Sequence, residues 1–346
     1  MTAARPTDHR SAGLDALRAF ACLMVVAFHA HTVAGVPFGP LDPIVDGGNQ
    51  GVFVFFALSG YLLYRPFLRA GGPGGTGGTG GNGGVDLRAY AIKRAARILP
   101  GYYVALVALT LLTGTRLPFD QPIPYLALAS AYQGPLRDFL GSAWTLSAEV
   151  LFYVTLPLIA WAVRGREALF LSVLALASAT VALALRLYGN ESTALWPSAY
   201  PAVFYAFVPG MLLAVLQARH PEAFARLRGA WAPVCGAILL VLGTLTQVLP
   251  VALFAALGTP LLMGWVMQRR VPGARLLAFL GGASYAMYLW NKDALLAFGA
   301  GPGLLVAAVG SALSWGLVER PILDWAHRVS KRPAASDRSM AEARPA

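Results

Sequence analysis

A few titratable side chains lie inside apolar stretches of this sequence, and their types suit proton transfer. Arg18 and His29 lie in the first stretch, and Glu149 lies in a later one. On a helix, the eleven-residue spacing of Arg18 and His29 corresponds to about three full turns and about 16 Å along the axis. Both side chains therefore project from one helix face, with the imidazole well above the guanidinium.

Counting residues from the ends of the apolar stretches places four polar side chains at one depth. His29, Glu149, Ser59 and Asn291 each lie roughly 20–22 Å from the inner end of their stretch. An imidazole held by a carboxylate has a fixed tautomer and can take a proton from a hydroxyl that attacks a carbonyl. The layer predicts a His29–Glu149 general base. A purely structural pair or an ion pathway is the alternative.

A second group of charges is basic and precedes the third apolar stretch. Lys93, Arg94 and Arg97 follow one another closely, and Arg94 and Arg97 share a face if the segment is helical. Two guanidinium forks at this spacing suit a phosphate or pyrophosphate group. Ordinary anchoring of a basic cytoplasmic loop is the alternative explanation.

Composition defines the environment in which these groups must work. The chain has 346 residues, of which 57% are hydrophobic and 12% charged, and its mean hydropathy is +0.59. Ordinary soluble domains carry about 25% charged residues. These values exclude a water-soluble enzyme, a nucleic-acid-binding domain and a disulfide scaffold as first interpretations. They predict an all-α, polytopic helical bundle in the cell membrane. Cys22 and Cys235 lie in apolar stretches and indicate no metal site.

The apolar pattern predicts about ten transmembrane helices, since about 20 residues span a bilayer. The stretches fall at about 14–35, 51–68, 99–115, 142–163, 168–187, 200–217, 231–248, 251–267, 276–297 and 303–325. With both termini in the cytoplasm, all but four of the 27 Lys and Arg residues lie on the cytoplasmic side. The four exceptions are Arg116, Arg137, Arg186 and Lys292.

The chain divides accordingly into one membrane domain and two tails. We expect a cytoplasmic N-terminal tail at 1–13, a transmembrane domain at 14–325 and a disordered cytoplasmic tail at 326–346. Within the membrane domain, the Gly-rich residues 70–86 predict a flexible cytoplasmic loop.

Six segments carry the candidate residues in a recognisable order. They are GLDALRAFACLMVVAFHA with Arg18 and His29, GVFVFFALSGYLL with Ser59 and Tyr61, KRAARILPGYY with Arg94 and Arg97, AWTLSAEVLFY with Trp144 and Glu149, SYAMYLWN with Asn291, and VERPILDW. Over about residues 13–325 the chain resembles the membrane acyltransferase 3 family of bacterial integral-membrane O-acyltransferases. The family usually has His at position 291. Asn hydrogen-bonds there but does not titrate near neutral pH.

The resemblance implies a stand-alone, acyl-coenzyme A-dependent O-acyltransferase without a permanently bound cofactor or metal. Arg94 and Arg97 would bind the donor phosphates, and the donor arm would run past Arg18 towards His29, which Glu149 would orient. The remaining candidates, Ser59, Tyr61, Trp144 and Asn291, would line the site or steady the thioester oxygen. A transient acyl-His29 remains open.

The implied partners are acyl-coenzyme A, the lipid bilayer and a hydroxyl-bearing acceptor, with no nucleic acid. The donor would most often carry acetyl, and the acceptor would be a glycan, a lipid-linked sugar or a small metabolite. The alternative is a multi-pass transporter of a solute or lipid-linked intermediate, with helix breaks at Pro157, Pro209 and Pro260. A scaffold that has lost activity is a further alternative.

Overall fold

The chain folds into a bundle of helices in a computed structural model. The structure describes residues 9–69, 85–129, 139–188, 200–245 and 251–330. Throughout these ranges every regular element is a helix, which confirms the all-helical prediction. Most of the predicted Gly-rich loop and most of the predicted C-terminal tail lie outside the described residues.

Ten long helices lie within the described ranges, and each overlaps one of the ten predicted stretches. They are α1 (His9–Thr32), α2 (Gly51–Arg69), α3 (Leu87–Thr113), α4 (Trp144–Ala162), α5 (Glu167–Tyr188), α6 (Tyr200–Arg219), α7 (Trp231–Leu245), α8 (Val251–Val266), α9 (Ala274–Phe298) and α10 (Ala300–Val329). A 3-10 turn at Phe204–Ala206 interrupts α6, and a π-turn at Ser314–Glu319 interrupts α10.

Three helix boundaries differ from the sequence prediction. Helix α1 begins at His9, inside the predicted N-terminal tail, and α10 continues to Val329, four residues beyond the predicted membrane domain. Helix α3 begins at Leu87 because the carboxylate of Asp86 accepts a hydrogen bond from the Ala89 N–H at 2.9 Å. The two arginines of the basic segment therefore lie on a helix rather than in a loop.

Seven of the described helical segments are long and apolar enough to cross a membrane. Helices α7 and α8 are apolar but shorter. Helix α9 has the length of a span, but Asn291, Lys292 and Asp293 interrupt its apolar sequence. These findings support a membrane protein. The count of ten spans and the cytoplasmic location of both termini remain predictions.

Helices α1 and α9 pack along their lengths and run in the same direction. Cys22 of α1 lies 3.5 Å from the carbonyl oxygen of Ser284, and further along Nδ1 of His29 meets Asn291. Near the start of both helices, Gly281 lies against the backbone of Asp15. Every seventh residue of a helix returns to almost the same face, so Asp15, Cys22 and His29 all face α9.

Helix α2 occupies the centre of the bundle and approaches α6 closely. A methyl group on Gly60 would overlap the carbonyl oxygen of Phe207, and one on Gly210 would overlap that of Ala57. Small residues permit such backbone approaches in membrane bundles. Phe207 also stacks between Phe56 of α2, at 4.5 Å, and Phe152 of α4, at 4.1 Å between ring centroids. These contacts fix α2 and α4 beside each other.

The contact at Gly281 leads to a prediction about stability. A Cβ at this position would lie 2.8 Å from atoms of Asp15, so Gly281→Ala must push α1 and α9 apart. We expect a loss of about 1–3 kcal/mol in unfolding free energy, measured by thermal or denaturant unfolding in detergent. The matched control is Gly301→Ala, because no atom lies within 4 Å of its added Cβ. Equal unfolding midpoints for the two variants would contradict the close packing of α1 on α9.

Candidate active site

One cavity gathers most of the charged residues that the sequence singled out. Its lining includes Arg18 of α1, Ser59 of α2, Arg94 and Arg97 of α3, and Glu149 of α4. We call it the donor cavity, for the role proposed below. The lining thus contains three guanidinium groups and one carboxylate, an excess of positive charge that favours an anionic ligand.

Neighbouring groups hold the three guanidinium groups at the cavity wall. Arg18 donates to the Asp15 carboxylate at 2.8 Å. Arg94 lies over the ring of Tyr153, at 5.7 Å from its centroid, and Arg97 lies over Tyr285 at 5.4 Å. Stacking on an aromatic face orients a guanidinium without using its N–H donors. Within the described residues, the Nε of Arg94 is buried and has no hydrogen-bond partner.

Glu149 belongs to a hydrogen-bonded group inside the donor cavity. Its Oε1 accepts from the Ser59 hydroxyl at 2.8 Å and from the Tyr153 hydroxyl at 2.6 Å. Glu149 and Tyr153 are four residues apart on α4, so they occupy the same helix face. The carboxylate therefore links α2 to α4 and positions the ring on which Arg94 lies.

A second cavity is lined by the imidazole of His29. We call it the base cavity; its lining includes His29, Trp144 and Lys292. Val52 and Tyr288 line both the base cavity and the donor cavity. The two spaces therefore share a wall, and a group that passes this wall from the donor cavity enters the space that His29 lines.

The partner of His29 on its Nδ1 side is Asn291, where the sequence prediction placed Glu149. The distance from Nδ1 to Asn291 Oδ1 is 2.5 Å. The Asn291 amide nitrogen donates to the carbonyl oxygens of Met287 and Tyr288, both at 2.8 Å. This fixes the amide so that its oxygen faces the imidazole and can only accept. His29 consequently carries its proton on Nδ1, and Nε2 is the basic nitrogen.

The four residues expected at one depth do not form the single group that the sequence predicted. The four residues expected in one layer form two pairs, Ser59 with Glu149 and His29 with Asn291. The pairs lie on opposite sides of the shared wall. Glu149 lines the donor cavity and His29 lines the base cavity.

Of two further candidate residues, one lines a cavity of the site and the other does not. Trp144 lines the base cavity and packs edge-to-face on Phe56, with 6.1 Å between ring centroids. Tyr61 is fully buried and lines neither cavity. Its hydroxyl instead donates to Gln217 of α6 at 2.6 Å. The phenol thus ties α2 to α6, which removes it from the oxyanion role considered for it.

Sequence reasoning missed the residues of the shared wall. Tyr288 donates to the carbonyl oxygen of Ser142 at 2.9 Å and accepts from the Thr145 hydroxyl at 3.1 Å. These bonds fix its ring between the two cavities. Tyr288 precedes Asn291 by three residues on α9, so helical spacing from Asn291 was an available signal. Val52, the other wall residue, could not be identified from the sequence, because a valine is not distinctive within an apolar stretch.

These features define a class: a helical membrane protein in which a positively charged internal cavity adjoins a second cavity that holds an oriented imidazole. A model of the acyltransferase domain family, Acyltransferase 3, matches residues 11–315. The chain therefore belongs to this acyltransferase family, which confirms the family resemblance drawn from the motifs.

Curated relatives carry related names. YrhL of Bacillus subtilis, which carries a peptidoglycan O-acetyltransferase name, is 35% identical over 92 residues, or 27% of this chain and 12% of its own length. The O-acetyl transferase of Shigella phage Sf6 is 28% identical over 163 residues, 42% of this chain and 45% of its own. The exopolysaccharide production protein ExoZ of Rhizobium meliloti is 27% identical over 308 residues, 80% of this chain and 90% of its own.

The first two relatives share only part of their length with this chain. The matched regions make up 12% of the Bacillus protein and 45% of the phage protein. No solved structure matches the chain.

The contact between His29 and Asn291 leads to a prediction about the imidazole tautomer. Asn291→Leu keeps the side-chain volume but removes the acceptor. The population ratio of the Nδ1–H tautomer to the Nε2–H tautomer of His29 should therefore fall roughly tenfold. Asn291→Asp retains an acceptor oxygen and should preserve Nδ1 protonation. Nitrogen NMR of ¹⁵N-histidine-labelled protein measures this, with His29→Ala assigning the signal among the five histidines. An unchanged His29 signal in Asn291→Leu would show that another group sets the tautomer.

Proposed function

We propose that the protein transfers an acyl group, in the first instance acetyl, from acyl-coenzyme A to a hydroxyl of a carbohydrate or related metabolite. One observation carries the proposal. A cavity lined by three guanidinium groups and a cavity lined by an oriented imidazole share the wall formed by Val52 and Tyr288. An anionic thioester donor and a hydroxyl acceptor therefore have separate approaches to one boundary.

The donor binds through its phosphates to Arg94 and Arg97. The two side chains lie one turn apart on α3 and line the same cavity, and planar guanidinium forks match phosphate oxygens. Arg18, which is already paired with Asp15, adds positive charge further along the cavity. The acyl-bearing arm then extends past Ser59 and Glu149 towards the shared wall.

His29 acts as the general base on the acceptor side. Its Nε2 takes the proton as the acceptor oxygen attacks the thioester carbonyl, and a tetrahedral oxyanion forms. Collapse of this intermediate breaks the carbon–sulfur bond, and the imidazolium returns the proton to the departing thiolate. Asn291 holds the tautomer throughout, and Lys292 of the base cavity supplies positive charge towards the oxyanion.

The acceptor class is inferred from the relatives. The names of two of them refer to peptidoglycan O-acetylation and exopolysaccharide production. Both terms describe carbohydrate, which offers the hydroxyl that the proposed chemistry requires. We therefore propose a carbohydrate hydroxyl, presented to the base cavity, as the acceptor.

The donor part of the proposal is tested with labelled acetyl-coenzyme A and membranes that contain the protein and a host glycolipid and metabolite extract. Arg94→Gln and Arg97→Gln should each raise the donor KM about 10-fold or more, because a hydrogen bond to a charged group contributes about 1.5–3 kcal/mol. The effect on kcat should be smaller. Lys93→Gln is the matched control, since Lys93 lies beside Arg94 but does not line the donor cavity.

Two results would contradict this assignment. An equal rise in KM for Lys93→Gln would indicate general electrostatic attraction rather than a phosphate site. Wild-type protein that binds no coenzyme A and forms no labelled ester would favour the transporter alternative.

A further inference from the structure

A third cavity lies away from both cavities of the candidate active site. It lies between the C-terminal ends of α2 and α6, the short helix Pro221–Arg226 with the turn that follows it, and the turn at 267–270. It shares no lining residue with the donor or base cavity. The charged side chains that line it, among the described residues, are all arginines. They are Arg65, Arg69, Arg228, Arg269 and Arg270. We call it the arginine cavity.

The concentration of positive charge in this cavity is energetically unfavourable without a counter-charge. No ion pair involves any of the five arginines within the part of the chain that the structure describes. Like charges brought together destabilise a fold, and a cleft lined by one sign of charge concentrates ions of the opposite sign. The lining therefore favours a bound anion.

Two of the arginines are held in place by their neighbours. Arg65 lies over the ring of Tyr61 at 5.1 Å, and Arg269 lies over the ring of Trp265 at 5.4 Å. Arg269 also donates to the carbonyl oxygen of Arg228 at 3.0 Å. The hydrogen bond from Tyr61 to Gln217 joins the α2 and α6 walls. This part of the lining is consequently preorganised rather than a set of freely moving surface side chains.

We propose that the arginine cavity binds a phosphate ester at a site separate from the donor cavity. Guanidinium forks match phosphate oxygens in pairs. Leu68, Phe224 and Met267 provide an apolar wall beside the charges, which suits an organic phosphate better than a small inorganic ion. Two sources offer this chemistry: a nucleotide phosphate and the headgroup of an acidic phospholipid, which basic pockets at helix ends bind.

The competing explanation is the ordinary excess of basic residues in cytoplasmic loops. Under that explanation, any pair of exposed arginines on the same predicted side contributes equally to the attraction of anions. Arg164 and Arg166 provide this comparison, because they are exposed, lie on the predicted cytoplasmic side and do not line the cavity.

The test compares Arg228→Gln/Arg270→Gln with Arg164→Gln/Arg166→Gln in the full-length protein in neutral detergent. One arm titrates adenosine 3′,5′-bisphosphate. The other titrates short-chain phosphatidylglycerol, with phosphatidylcholine as the neutral control. We expect salt-dependent binding in one arm, weakened at least tenfold in the first variant and unchanged in the second. The responding arm identifies the source of the phosphate.

Three outcomes overturn the proposal: wild-type protein that binds neither probe, equal losses in both double variants, and binding that neither double variant weakens, which would assign the nucleotide probe to the donor cavity. Arg228 and Arg270 are exposed, so the first variant should elute from gel filtration as the wild type does. If it does not, Arg270→Gln alone replaces it. The proposal is independent of acyl transfer, because its readout is binding at residues outside the donor and base cavities.

Discussion

The cost of placing polar and charged groups inside an apolar bundle governs this structure. A buried polar group without a partner is strongly destabilising, and in a membrane there is no water to compensate for it. Several interior groups bond one another: Arg18 pairs with Asp15, Ser59 bonds Glu149, and His29 bonds Asn291. The α1–α9 and α2–α4 contacts position these pairs, so the helix packing and the site geometry depend on the same interactions.

The same constraint separates two chemical environments by a thin wall. Guanidinium groups that need an anion line one cavity, whereas the imidazole and its amide partner belong to the other. Val52 and Tyr288 lie between them, and Tyr288 is fixed by Ser142 and Thr145. The proposed acyl transfer places a charged donor on one side of this wall and a neutral hydroxyl acceptor on the other. This arrangement is the physical basis of the proposed acyl transfer.

Much of this organisation was predictable from one sequence, and the limits have physical causes. Apolar stretches located the ten long helices, and the three-residue spacing of Arg94 and Arg97 correctly placed them on one face. The start of α3 was missed, although Asp86 is a recognisable N-cap residue. Residues 326–329 of the predicted tail are helical, whereas the rest of the tail and most of the Gly-rich segment lie outside the described residues.

Residue pairing was the weakest part of the sequence prediction. Counting residues gives depth in a membrane, but it does not reveal which neighbouring helix a side chain faces. Glu149 and His29 lie at similar predicted depths, yet α9 covers His29 and presents Asn291 to it. At Nδ1 the imidazole meets the amide oxygen of Asn291, where the sequence predicted the carboxylate of Glu149. The expectation that Tyr61 lines the site has the same weakness, because its hydroxyl bonds Gln217 of α6.

The most direct measurement is acyl transfer by membranes that contain the wild type or His29→Ala, supplied with labelled acetyl-coenzyme A and a host glycolipid and metabolite extract. Release of coenzyme A and the fate of the label are followed together, with coenzyme A binding measured in parallel. The account predicts a labelled ester from the wild type, and donor binding but little or no ester from His29→Ala. Equal ester formation by both proteins would contradict the assignment of His29 as the catalytic base.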